Sequence, residues 1–378
     1  MQGQDLIERI RAESGEVVEL LRELVELESP STSKVLVDQV GGLIVRRLEE
    51  SGLIPNVVPR REAGNPVWAE WGGGGPGRIL VLCHIDTVWE AGSLKKNPFR
   101  LENGRIFGPG IFDMKAGVAA TLKVQEYLKK GWIVPLKKVR FLYTTDEELT
   151  SSHSRDLIEE SAKASDLVLV IEPPLPGGEL KTSRKGVSCY VIRIRGRAAH
   201  SGLEPEKGIS AVEELARQIG SVQALAAPDR GSTVMVTMVR GGSAPNVVPD
   251  CAEATVDVRF RTAAEAQRIH RSIRELQPNL EGIVLEVEGG IDRSPMERTG
   301  RSAALFETAR EVAAELGIRL GEGESGGGSD GNLTAALGVP TLDGLGIPGD
   351  GAHAVHEHIL ADELAPRIAL LALLIERL

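Results

Sequence analysis

The sequence predicts an α/β protein in two parts, one built from both ends of the chain and a smaller one inserted between them. Two observations carry this. Short apolar runs at 78–83, 139–143 and 167–171 read as buried strands, with a helical segment at 116–130 between the first two. Strand, helix, strand in that order is the pattern of a sheet covered on both faces. From about residue 181 the texture changes to half-exposed strands and amphipathic helices in the order β-α-β-β-α-β, a split ferredoxin-like unit. The boundaries that follow are 1–180 and 295–378 for the outer domain and 181–294 for the insertion.

Taken in order, residues 5–28 have apolar side chains at helical spacing and end at Ser29-Pro30-Ser31, a stop followed by a new cap. Residues 33–50 repeat the helical pattern. The run Gly72-Gly73-Gly74-Gly75-Pro76-Gly77 lacks the Gly-Lys-Ser/Thr of a phosphate loop and precedes a strand, so it reads as a turn. Within the insertion, 187–195, 232–239, 252–261 and 283–287 are strand-like, and 209–219 and 263–275 are helical. Beyond Pro295 come long helices and Gly-rich turns, with a last helix from 362 onward.

Composition sets outer bounds. A chain of 378 residues with 42% hydrophobic content has material for two cores, and with aromatics at 3% the packing falls on Val, Leu, Ile and Ala. Lys plus Arg number 44 against 54 for Asp plus Glu, a net charge of −10, which argues against nucleic-acid partners and anionic membranes. No run approaches the roughly 20 apolar residues needed to cross a bilayer, and the opening residues, with Asp5 and Glu8, lack the apolar core of a secretory signal. Cys83, Cys189 and Cys251 are odd in number and form no CxxC pair. They are expected as buried free thiols in a reducing compartment, the cytoplasm.

Polar groups follow each apolar strand at once. Cys83 runs into His84-Ile85-Asp86, Tyr143 into Thr144-Thr145-Asp146-Glu147-Glu148, and Ile171 into Glu172-Pro173. In open α/β sheets, sites form beyond the carboxyl ends of strands. Asp113 reaches the same region from the loop that begins Gly108-Pro109-Gly110. Carboxylates at this density repel one another unless a cation is present. Zinc takes imidazole nitrogen and carboxylate oxygen at about 2.0–2.2 Å. Two metals sharing a carboxylate sit roughly 3.5–4 Å apart and hold a hydroxide between them. Each piece alone has a plainer reading: His84 and Asp86 as a surface turn, the Glu pair as a solvated helix start, Asp113 as a helix N-cap, Glu172 as a strand exit. Their joint order and placement are what point to metal chemistry.

These motifs make the chain resemble the M20 metallopeptidases over almost its full length, most closely the glutamate carboxypeptidase type. The resemblance rests on His84-Ile85-Asp86-Thr87-Val88, Gly108-Pro109-Gly110-Ile111-Phe112-Asp113-Met114-Lys115-Ala116-Gly117, Asp146-Glu147-Glu148 and Ile171-Glu172-Pro173. It extends through Ala199-His200-Ser201-Gly202, Ala244-Pro245-Asn246-Val247-Val248-Pro249-Asp250 and Gly326-Gly327-Gly328-Ser329-Asp330. It implies a mixed-sheet zinc-hydrolase catalytic domain carrying a ferredoxin-like lid and dimerisation domain. It further implies two Zn²⁺ per chain, with Asp113 bridging, His84 and Glu172 on one ion, and Glu148 and His353 on the other. Co²⁺ or Mn²⁺ could serve with the same ligands.

In the same resemblance Glu147 is the general base, and Asp86 accepts the other N–H of His84 and fixes its tautomer. Glu147 and Glu148 would face opposite ways on a regular strand, so the backbone there is expected to be irregular. The family pattern places an acid four residues after the last histidine; His353 with Glu357, followed by Ile359, is taken as the match, ahead of His356 and His358. His200 matches an oxyanion donor that reaches across a dimer; alone it would read as a strand-end histidine capping a turn. Asn246, Arg259 and Gly328 match substrate-binding positions. Arg293, along with Arg184, is a candidate for the substrate carboxylate.

The implied reaction is metal-dependent hydrolysis of an amide next to a free carboxylate by a hydroxide held between the zinc ions. It would release a C-terminal Glu or Asp from small peptides or N-acyl amino acids. The alternatives are an N-acyl amino acid deacylase of the acetylornithine or succinyl-diaminopimelate kind, and a non-catalytic metal-binding scaffold. The expected partners are such a substrate and a second copy of the chain through the inserted domain, with no nucleic acid and no membrane.

Overall fold

The computed structural model describes residues 3–378. The chain opens with α1 (Gly3–Ala12), α2 (Ser14–Glu26) and α3 (Lys34–Glu50). The single helix expected over 5–28 is therefore two: Glu13 leaves helical geometry at φ −93°, ψ 9°, and Ser14 and Gly15 behind it are weak helix formers. Next come β1 (Asn56–Val57), β2 (Val67–Trp71), β3 (Arg78–His84), β4 (Arg100–Glu102), β5 (Arg105–Phe107) and α4 (Ala116–Lys129). Then follow β6 (Lys138–Thr144), α5 (Arg155–Lys163), β7 (Leu167–Val170) and β8 (Leu180–Arg184). The insertion holds β9 (Gly186–Arg195), α6 (Ala211–Gln223), β10 (Thr233–Gly241), β11 (Cys251–Phe260), α7 (Ala263–Arg274) and β12 (Val284–Arg293). The chain closes with α8 (Gly300–Glu315), β13 (Glu322–Ser325), α9 (Asp330–Ala336), β14 (Thr341–Leu342), β15 (Gly349–Asp350), β16 (His358–Leu360) and α10 (Leu364–Arg377).

Two compact units result. One runs to Ser183 and adds Arg298–Ser325 and Ser329–Leu378; the other is Arg184–Glu297 with Gly326–Gly328. The first unit is built on a six-stranded sheet ordered β1-β2-β6-β3-β7-β14. Strands β6, β3, β7 and β14 are parallel, and β2 joins β6 antiparallel, which makes the sheet mixed. The continuous apolar runs are explained by burial on both faces. Ile79, Val81 and Cys83 of β3 enter one core with α4 and α10, while Leu80 and Leu82 enter another with Leu157, Ile158 and Leu333. Helix α10 is buried almost all round, from Leu364 to Ile375, so it sits inside the unit and does not merely cover it.

The second unit is an antiparallel sheet ordered β10-β11-β9-β12. Tyr190, Ile192 and Ile194 of β9 and Ala254, Val256, Val258 and Phe260 of β11 pack with α6 and α7, while the alternate residues face outward. Cys189 and Cys251 lie on that outward register and are exposed; only Cys83 is buried, which corrects the expectation of three buried thiols. Strand β12 is also longer than expected. It continues through Gly289, where φ is 91° and a Cβ would collide with the Cys189 carbonyl. Among the described residues no helix is long and apolar enough to cross a membrane.

Candidate metal centre

Because β3, β6 and β7 run parallel, their carboxyl ends open on one edge, with His84 paired in register with Thr144 and Leu82 with Val170. Past that edge the backbone is held by hydrogen bonds to acids. The Asp86 carboxylate accepts the N–H groups of Glu147 and Glu148, each at 3.2 Å, and the Ser31 hydroxyl at 2.7 Å. Ser31 is brought there by the bridge between Pro30 and Thr87. Sequence reasoning assigned Asp86 to the His84 ring. The ring Nδ1 lies closer to the Asp86 backbone carbonyl, at 3.0 Å, than to its carboxylate, at 3.4 Å. The carboxylate thus lies against the His84 ring and also shapes the Glu147–Glu148 turn. That turn is a 3-10 segment followed by Thr150 and Ser151 at φ 69° and 57°, so the backbone is irregular where two adjacent acids must diverge. Asp330 supports it from below, accepting the hydroxyls of Ser151 and Thr144.

Asp113 sits on a loop with φ −117°, ψ 93° and a cis bond to Met114. The loop is entered at Gly110, whose φ is 70° and where a Cβ would collide with Thr87. One side chain holds it. The fully buried Glu357 carboxylate accepts N–H groups from Gly110 at 2.9 Å, Phe112 at 2.9 Å and Asp113 at 3.1 Å, and the Trp89 indole at 2.6 Å. Burial pushes the Glu357 carboxyl up to about 7 against these four donors. Neither Glu357 nor Trp89 was singled out as a site residue from sequence. The only signal for Glu357 was its spacing from His353.

The candidate ligands form two linked triads. His84 Nε2 is 3.1 Å from Asp113 Oδ1 and 3.5 Å from Glu172 Oε1. His353 Nε2 is 3.4 Å from Asp113 Oδ2 and 3.2 Å from Glu148 Oε1. Asp113 thus offers one oxygen to each histidine. A tetrahedral site with bonds of about 2.0–2.1 Å has edges of roughly 3.3 Å, so these spacings suit a cation in each triad. Glu148 Oε1 is buried, with the His353 ring nitrogen as its neighbour. His356 is exposed, and His358 turns its Nδ1 to the His356 carbonyl and its ring to Phe107. His353 is the histidine at the acids.

Electrostatics point the same way. Burial opposes charge on His84, yet Asp113 and Asp86 hold its pKa well above the ordinary value. Asp113 and Glu148 raise His353 to about 10. Burial would raise Asp113, but the two rings hold it well below the usual carboxylate range. The cluster demands positive charge. Glu147 stands beside it, with a carboxylate oxygen within 4.8 Å of the ligand atoms of His84 and Glu172.

The other candidates lie in the second unit. His200 is exposed, and its Nδ1 accepts the N–H groups of Gly202 at 3.1 Å and Leu203 at 3.2 Å. The neutral ring therefore carries its proton on Nε2, as a donor. Asn246 is alongside, its carbonyl accepting Ser201 N–H at 3.0 Å. Arg259 has its fork on Asp257, at 2.9 Å for both contacts. Arg293 is buried at the end of β12. Arg184 donates to the carbonyls of Gly327 and Gly328, each at 3.1 Å, which ties the Gly326–Gly328 stretch to this unit.

Residues 80–377 match the model of peptidase family M20/M25/M40. The chain is 30% identical over 349 residues to carboxypeptidase G2 of Pseudomonas sp. (strain RS-16), covering 89% of this chain and 83% of that protein. It is 29% identical over 355 residues to a succinyl-diaminopimelate desuccinylase of Cereibacter sphaeroides, covering 86% and 89%. Among solved structures, aminopeptidase PepT of Bacillus cereus superposes with a TM-score of 0.79 at 22% identity, over 96% of this chain and 98% of that one.

Two outcomes are expected. His353→Ala should lower the metal content of dialysed protein, read by mass spectrometry, whereas His356→Ala should leave it unchanged; the reverse result would move the ligand. Glu357→Gln replaces one acceptor oxygen by a donor facing backbone N–H groups, at a cost of about 1–3 kcal/mol. A fall in denaturant midpoint together with weaker metal retention would be the readout.

Proposed function

The chain belongs to peptidase family M20/M25/M40, and on that premise we propose that it hydrolyses an amide bond next to a free carboxylate, releasing a C-terminal Glu or Asp from small peptides or N-acyl amino acids. The observation that carries this is the sharing of Asp113 between His84 and His353, each backed by its own glutamate, with Glu147 at their side. His84, Asp113 and Glu172 would hold one Zn²⁺, and His353, Asp113 and Glu148 the other. Bound there, the two ions supply Lewis-acid activation of the substrate carbonyl and of the attacking water.

The chain's own groups move the protons. Glu147 takes one from the attacking water at its carboxylate and returns it to the leaving nitrogen, so it ends each cycle ionised. Asp86, by holding both N–H groups of the turn, keeps Glu147 and Glu148 facing different partners. His200 donates from Nε2 to the carbonyl oxygen as negative charge develops there. Asn246, Arg259, Arg293 and Gly328 form the proposed substrate-binding set, guanidinium being the group best matched to a carboxylate.

The similarity to a desuccinylase supports a second reading, an N-acyl amino acid deacylase using the same centre. A silent scaffold is disfavoured by the presence of Glu147 beside a complete set of candidate ligands. A homodimer through the inserted unit is supported by β10, a sheet edge on which Met235, Met238 and Val239 are 55%, 50% and 56% exposed.

Glu147→Gln is expected to keep its metal and lose turnover on the order of 10²–10⁴-fold; near-normal activity would remove it as the base. His200→Ala should cost on the order of 10²–10³ in kcat. A panel of dipeptides and N-acyl amino acids that varies only the C-terminal residue, among Glu, Asp, Ala, Leu and Arg, tests the substrate. Preference for Glu or Asp supports the carboxypeptidase reading, and preference set by the acyl group supports the deacylase. No hydrolysis after zinc addition would leave the scaffold.

A further inference from the structure

We propose that Arg367 is a positioning residue for Glu172: a buried guanidinium on α10 that fixes the strand exit from which that carboxylate is presented. The inference rests on the metal-centre reading above and concerns how one half of that centre is kept in place.

Arg367 is 2% exposed, in the first turn of α10 and just ahead of the apolar run from Ile368 to Ile375. Its guanidinium donates to three backbone carbonyls: Gly346 from Nε at 2.9 Å, Gly178 from Nη1 at 2.9 Å and Gly344 from Nη2 at 2.8 Å. Burial lowers its pKa to about 10, with Glu363 opposing the shift, so it stays charged at neutral pH. Burying a cation against carbonyl oxygens alone is expensive. Methionine would fill the space without that cost, so the three carbonyls are the reason for the charge.

All three carbonyls belong to the backbone around Glu172. The Gly346 N–H donates to the Glu172 carbonyl at 2.9 Å, while the Gly346 carbonyl is the one Arg367 Nε holds. One residue therefore links Arg367 to Glu172. There is no slack in that link: a Cβ on Gly346 would lie 2.8 Å from the carbonyl oxygens of both Ile171 and Glu172. Leu345 N–H reaches the Val170 carbonyl at 3.3 Å, and Asp343 exchanges two backbone bonds with Lys181 at 2.8 and 3.1 Å. Gly178 lies on the loop that follows Glu172, so Arg367 ties down both the loop lying against Glu172 and the chain leaving it. The other triad is held separately, with Glu357 on the Asp113 loop and Asp86 on the Glu147–Glu148 turn. Losing Arg367 should loosen Glu172 and spare His353 and Glu148.

The test titrates metal-free protein with Zn²⁺ against a chromophoric chelator, with circular dichroism to verify folding. Wild type should take up two equivalents. Arg367→Met should bind one equivalent as wild type does and the other about 10–100-fold more weakly, the usual effect of removing a group that orients a ligand. Arg367→Lys, which keeps a buried donor, should fall between. If Arg367→Met does not fold, Arg367→Lys carries the test by the same readout, selective weakening of one equivalent. Two equivalents at unchanged affinity in a folded variant, or equal weakening of both, would overturn the inference. A wild type that binds fewer than two would instead overturn the metal-centre reading, and this inference with it.

Discussion

Three backbone N–H groups converge on the buried Glu357 carboxylate, and through them the loop that carries Asp113 is held in a shape it could not keep alone. Asp113 in turn determines where both histidines can sit, because each of its oxygens faces one ring. The arrangement gathers negative charge at a single sheet edge. An assembly of acids is stable only if each is given donors or cations. Glu357 receives four donors and Asp86 receives two backbone N–H groups and a hydroxyl. Asp113, Glu148 and Glu172 have imidazole nitrogens at 3.1, 3.2 and 3.5 Å.

The scaffold makes the convergence affordable. Parallel strands deliver His84, the Glu147–Glu148 turn and Glu172 to the same edge without further design, since their carboxyl ends all point one way. What parallel strands cannot do is hold the residues one or two positions past the edge, where the ladder ends. There the chain uses side chains drawn from distant segments: Ser31 and Asp330 at the glutamate turn, Glu357 at the Asp113 loop, and Arg367 behind the Glu172 exit. Helix α10 has two functions as a result. Its apolar surface fills the core, and its one buried cation reaches through that core to the backbone of the site.

The chain belongs to peptidase family M20/M25/M40, and its candidate metal ligands all lie in the first of the two compact units. The similarity to a carboxypeptidase and to a desuccinylase, at 30% and 29% identity, leaves the acyl side of the substrate open while the amide chemistry is common to both. In the second unit, several charged groups have internal partners. Arg259 is engaged by Asp257, and Arg184 by the Gly327 and Gly328 carbonyls.

What the sequence determined by itself was the α/β class, the ferredoxin-like insertion and the delivery of polar groups at strand ends. All three are one-dimensional signals: apolar runs, alternation, and the residue that follows a strand. Its errors had one physical origin. The exposure of Cys189 and Cys251 depends on which face of β9 and β11 the helices cover. The break at Glu13 and the continuation of β12 past Gly289 depend on local backbone angles and on what packs against them. Tertiary structure alone decided the partners of the Asp86 carboxylate, the clamp of Glu357 on residues 244 to 247 positions earlier, and the reach of Arg367 to Gly178 across 189 positions. A hydrogen bond closed over such a span leaves no period or spacing in the chain, because its geometry exists only once both segments are packed.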